Sequence, residues 1–131
     1  MAGTASKTIL IVDDDPSVRE VLTGYFEHQY GPRGYSVETA SDGAQALAAV
    51  RRRRPALILL DIEMPGMDGV ETLRGVRALD PAIPVIMVTG SVSTRVAGEV
   101  IKAGAYSYLP KPVKFQYLDH LAATVLGPAG A

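Results

Sequence analysis

The sequence predicts an α/β domain built on a five-stranded parallel sheet, doubly wound, with helices on both faces. Two observations carry that expectation. Short apolar runs alternate with helix-length amphipathic segments, giving five β–α units. The runs Ile9–Val12, Leu57–Leu60 and Val85–Val88 are continuously apolar, as in strands covered on both faces. A third observation concerns function. The first and third runs end in carboxylates, Asp13-Asp14-Asp15 and Asp61, and open α/β sheets form ligand sites outside the carboxyl ends of their strands.

The elements follow in order. The first strand is Thr8–Val12. A helix is expected from Pro16 to about Gln29, with Val18, Val21, Leu22 and Tyr25 on one buried face. Asp15 reads as its N-cap rather than a metal ligand, and Pro16 suits the first turn. Gly31, Pro32 and Gly34 make a turn between Tyr30 and Gly34. The second strand is Ser36–Thr39, and the second helix runs from Asp42 to about Arg53, stopped by Pro55. Ser41 and Asp42 read as caps. Arg51–Arg54 lie where positive charge complements the helix dipole and read as a solvated helix end. The third strand is Leu57–Leu60, and the loop Met64–Gly69 leads to a helix from about Val70 to Leu79. Asp68 orders that loop. Pro84–Val88 is the fourth strand, and the fourth helix spans about Ser93 to Ala103, ended by Gly104. Gly98 inside it costs about 1 kcal/mol relative to alanine, so this helix is expected to be mobile. The fifth strand is Tyr106–Leu109, with Tyr106 read as core. The last helix is Lys114–Leu126, with Leu118, Leu121, Ala122 and Val125 on one face.

Bulk properties bound the function. A chain of 131 residues suits one domain, placed at 8–126, with an extended or disordered segment at 1–7 and a frayed tail at 127–131. The net charge of −1 gives no electrostatic case for direct nucleic-acid binding. With no cysteine, disulfides, thiol catalysis and cysteine metal sites are excluded. Nothing resembles a signal peptide, and no apolar stretch approaches the ~20 residues of a membrane span. A cytoplasmic location is the default. His28 and His120 stand apart from other metal-spaced ligands and read as surface or packing residues.

Right-handed crossovers bring all strand ends to one edge. Asp13 and Asp14, then Asp61, then Thr89 and Gly90, then Lys111 and Pro112 follow successive strands there. Carboxylate oxygens suit a hard cation such as Mg²⁺. An aspartate can attack phosphorus to give an aspartyl phosphate. A cation and a lysine neutralise charge on a transferred phosphoryl group.

These residues resemble the receiver domain of two-component response regulators, the CheY-like family. The resemblance rests on Ile9–Asp15, Leu59–Gly69, Pro84–Gly90 and Ala103–Pro112, and extends from about Lys7 to Leu126. It implies a flavodoxin-like fold with strand order 2-1-3-4-5. It implies that Asp61 is the phosphoacceptor, that Asp14 and Asp61 bind Mg²⁺ directly and Asp13 through water, and that the Glu63 backbone carbonyl is a further ligand. Lys111 would contact Asp61 and the phosphoryl group, Thr89 would hydrogen-bond it, and the Gly90 backbone N–H would bind it. Thr89 and Tyr108 would act as switch residues, and Lys111-Pro112 would be a cis peptide. The implied function is a switch that catalyses its own phosphorylation and dephosphorylation. The donor would be a histidine kinase or histidine phosphotransfer protein. The face formed by the fourth helix, fifth strand and fifth helix would control an output protein whose identity the sequence does not give. The resemblance leaves room for a phosphorylation-dependent homodimer, with no membrane role.

Three departures stand out. The connection Glu27–Gly34 is a few residues longer than is usual in the family, on the edge opposite the site, with no expected effect on phosphorylation. Val113 stands where phenylalanine is common. Glu63 and Ser91 occupy positions that tune loss of the phosphoryl group. The rival reading is a small Mg²⁺-dependent phosphatase of the haloacid dehalogenase type, using Asp13-x-Asp15; it leaves Lys111-Pro112 unexplained. A receiver cut from a longer regulator with an effector domain is a further alternative.

Overall fold

The computed structural model describes residues 7–64, 66–90 and 94–129. Expectations on residues 1–6, Pro65, Ser91, Ser93 and the end of the tail fall outside that range. Five strands, β1 (Thr8–Val12), β2 (Ser36–Ala40), β3 (Leu57–Asp61), β4 (Val85–Thr89) and β5 (Ser107–Pro110), form one sheet in the order β2-β1-β3-β4-β5. Every neighbouring pair is parallel. The α-helices are α1 (Pro16–Tyr30), α2 (Gly43–Arg52), α3 (Gly69–Leu79), α4 (Thr94–Lys102) and α5 (Phe115–Leu126).

The apolar strands feed two cores. Leu10, Val12, Ile58, Leu60, Val85 and Met87 face α2, α3 and α4. Their sequence neighbours Ile9, Ile11, Leu57, Leu59, Ile86 and Val88 face α1 and α5. Side chains alternate between the faces, and because helices cover both, the sequence has no polar member of the alternation. The edge strands differ. In β5 only Leu109 is buried.

Local chemistry sets the helix starts. The Asp15 carboxylate accepts from the Ser17 N–H at 2.9 Å, and Pro16 opens α1. Asp42 accepts from the Gln45 N–H at 2.8 Å. Asp68 and Glu71 form a reciprocal capping box at α3. The arginines at the end of α2 are exposed, with Arg52 and Arg53 near Glu38 and Arg54 near Asp80.

Several packing expectations need correction. Val21 is 55% exposed, while Leu22, Phe26 and Tyr30 form the buried stripe of α1. The helix runs through Tyr30 into a 3-10 turn at Gly31–Arg33, and the i, i+4, i+8 spacing of that stripe leaves Val21 to one side. Tyr106 is 47% exposed instead of core, because it precedes an edge strand. The start of the tail is tethered where fraying was expected. Arg33 donates to the carbonyls of Leu126 at 2.9 Å and Pro128 at 2.7 Å, and the Tyr30 hydroxyl donates to Gly127 at 3.0 Å.

Candidate functional site

Parallel register builds the site. Val12 lies opposite Leu60, and Asp61 lies opposite Val88. The next residue of β1 therefore comes beside Asp61, and Thr89 ends β4 on the other side. Asp13 and Asp61 are 1% and 2% exposed. Asp14 is exposed, yet one oxygen from each of Asp13, Asp14 and Asp61 lies within 4.8 Å of the others.

The Lys111 ammonium sits 3.0 Å from Asp13 and 3.4 Å from Asp61. Its own position is fixed by β5, since the Lys111 N–H donates to the Thr89 carbonyl at 2.7 Å, and the peptide to Pro112 is cis. Burial alone would lower the lysine pKa, but the hydrogen bonds and charges of Asp13 and Asp61 reverse this and raise it. Asp61 moves the other way from an ordinary carboxylate. Burial, then the Asp13 charge, push it up to about 6, although the Glu63 N–H and Lys111 favour its ionised form. One ammonium does not compensate the cluster.

Asp13 is held on every polar side. Its N–H donates to the Ala40 carbonyl at 3.1 Å, and its Oδ1 accepts from the Asp15 N–H at 2.9 Å. Its Oδ2 faces Lys111, and its backbone carbonyl accepts from the Arg19 guanidinium at 2.7 Å. Sequence reasoning missed Arg19; it lies one helical turn after Asp15 with nothing in the pattern to mark it.

The Glu63 N–H donates to Asp61 Oδ1 at 3.1 Å, while its side chain is exposed near Gly90. Thr89 is buried at the end of β4, and Gly90 is exposed with Lys111 beside it. Gly69 packs so tightly that an added Cβ would come within 2.4 Å of the Asp61 carbonyl. Tyr108 is 37% exposed, in a groove with Tyr117, His120 and Leu121, outside the carboxylate cluster.

The arrangement fits a divalent cation. Three carboxylates converge, two of them buried, and burial together with the Asp13 charge holds the Asp61 pKa up. All these side-chain donors are oxygens, as Mg²⁺ requires.

The response regulator receiver domain family matches residues 9–123. Among curated relatives, the chain is 46% identical over 112 residues to the response regulator MprA of Mycobacterium leprae, covering 84% of this chain and 46% of that protein. It is 44% identical over 117 residues to the transcriptional regulatory protein ZraR of Escherichia coli O157:H7, covering 89% of this chain and 25% of that protein. The chain thus spans between a quarter and half the length of these relatives. Among solved structures, the Vibrio cholerae chemotaxis protein CheY4 superposes with a TM-score of 0.80 at 33% identity, covering 94% of this chain and all of that one. The receiver domain of NtrX from Brucella abortus gives 0.81 at 34% identity, covering 90% and 97%.

Proposed function

This chain belongs to the response regulator receiver domain family, and we propose that it is a phosphorylation-activated signalling switch with Asp61 as its phosphoacceptor. The observation that carries this reading is the pairing of a buried Asp61 with Lys111 beside a second buried carboxylate. Histidine kinases are the general partners of the family, and a histidine kinase or histidine phosphotransfer protein is the proposed donor.

Asp14 and Asp61 would hold Mg²⁺ directly, with the Glu63 backbone carbonyl, and Asp13 through water. Bound there, the ion would offset negative charge on the acceptor and the phosphoryl oxygens. A carboxylate oxygen of Asp61 forms the O–P bond as the N–P bond of the donor phosphohistidine breaks, the electron pair returning to the imidazole. Lys111 stays beside Asp61 as charge moves onto the phosphoryl oxygens. Gly90 donates its N–H with no side chain in the way. Thr89 donates its hydroxyl to the attached phosphoryl group, and Tyr108 turns inward behind it. The exposed Ile101, Tyr106, Tyr108 and Tyr117 support α4, β5 and α5 as the surface that meets an output protein or, after phosphorylation, a second copy.

The dehalogenase reading is not favoured. It needs a free Asp13-x-Asp15 pair, but Asp15 caps α1 and Asp13 is engaged by Lys111.

Intact-mass measurement after incubation with acetyl phosphate and Mg²⁺ tests the proposal. One phosphoryl adduct is expected, absent in Asp61→Asn and after chelation. No adduct from acetyl phosphate or from a cognate kinase would overturn it.

A further inference from the structure

We propose that Arg19 is a positioning residue for the cation site, orienting the peptide that joins Asp13 to Asp14. The proposal rests on reading the acidic cluster as a Mg²⁺ site.

The guanidinium reaches back from the second turn of α1 to the Asp13 carbonyl at 2.7 Å. That carbonyl belongs to the peptide unit leading into Asp14, so its orientation governs where the Asp14 side chain projects. The other contacts of Asp13 fix its N–H and its carboxylate; among the described residues, only Arg19 holds the peptide on its Asp14 side. The next peptides are committed to α1, with Asp15 capping it and the Arg19 N–H donating to the Asp15 carbonyl at 3.1 Å. Asp14 lies between a fixed strand end and a fixed helix start, and Arg19 spans the two.

Its action is orientation. Among the described residues, Arg19 makes no ion pair with a carboxylate within 4.0 Å, and its guanidinium donates to a neutral acceptor. Replacing it frees a part-buried carbonyl to seek another donor. The peptide then has a second orientation available, in which Asp14 no longer converges with Asp61. Partners that orient a metal's ligands change affinity by roughly 10–100-fold when removed.

Titration calorimetry of the full chain with MgCl₂ tests this. Arg19→Met keeps the aliphatic stem and removes the donor. Affinity is expected to fall about tenfold, with most of it recovered in Arg19→Lys. At saturating Mg²⁺, the rate of adduct formation from acetyl phosphate returns close to wild type in Arg19→Met. A purely structural brace would lower the urea midpoint and leave Mg²⁺ affinity within about twofold of wild type, and that result would overturn the proposal. Should Arg19→Met fail to fold, Arg19→Gln, whose amide is too short to reach the carbonyl, carries the same expectation. Asp14→Asn separates the two levels. If it loses Mg²⁺ binding while Arg19→Met does not, only the role of Arg19 falls. If the wild-type chain binds no Mg²⁺, the site reading falls with it.

Discussion

At Asp61, burial and the neighbouring Asp13 raise the carboxyl pKa from 3.8 to about 6. The folded state therefore holds this proton more tightly than the unfolded chain does. The stability that follows is complete below about 3.8 and is lost as pH rises through about 6. With a chelator present, Asp61→Asn is expected to raise the urea midpoint relative to wild type at pH 8, and the advantage should shrink towards pH 4. A pH-independent difference would show that the buried charge is not its origin. The residues that carry this chemistry were legible because they are charges at the ends of apolar strands. The residues that aim them were not. Arg19 acts through a backbone carbonyl, and Gly69 acts by having no Cβ where one would meet the Asp61 backbone at 2.4 Å. Neither function leaves a periodic or charged signature in the sequence.

Element by element, sequence and structure agree best where a strand is covered on both faces, as β1, β3 and β4 are. Agreement fails at edges and long helices. Tyr106 and Tyr108 lie two residues apart beside the buried Leu109, so an edge strand obeys a period of two that a short apolar run conceals. In α1 the buried stripe Leu22, Phe26 and Tyr30 reaches the last turn of the helix, where the glycines and proline of the sequence predict a turn from Tyr30. Two predictions belong to this scale. Gly98 in α4 is exposed, and an added Cβ would meet nothing within 4 Å. Gly98→Ala should therefore stabilise α4 by about 1 kcal/mol, read as slower amide exchange across residues 94–102. Unchanged exchange would show that glycine does not limit this helix. At the opposite edge, Arg33 lies over the rings of Tyr30 and Tyr35 while gripping the end of α5. Arg33→Ala should speed exchange in the last turn of α5 and leave the Asp61 adduct yield unchanged. A lower yield would mean that this long connection is coupled to the site after all.

On the scale of the whole molecule, the sheet separates two cores and carries the site on one edge. Phosphorylation of Asp61 would replace the aspartate charge with roughly −1.5 to −2 on a group seated between both cores. A full reversal from 1:99 to 99:1 between two conformations requires about 5.5 kcal/mol of differential stabilisation. Lys111, just past the end of β5, has its ammonium 3.4 Å from Asp61 and is placed to supply part of it. No described helix is long and apolar enough to cross a membrane. The chain spans between a quarter and half the length of its curated relatives, and the α4–β5–α5 face is the surface proposed for output contacts. The phosphoryl group is proposed to reside on Asp61. An acyl phosphate is reduced by borohydride to an alcohol, so treatment of the acetyl-phosphate-labelled chain with borohydride, followed by peptide mapping, reads the site directly. Homoserine is expected at position 61 and nowhere else, dependent on Mg²⁺. Homoserine at position 13 or 14, or a phosphoryl adduct that leaves position 61 unreduced, would contradict it.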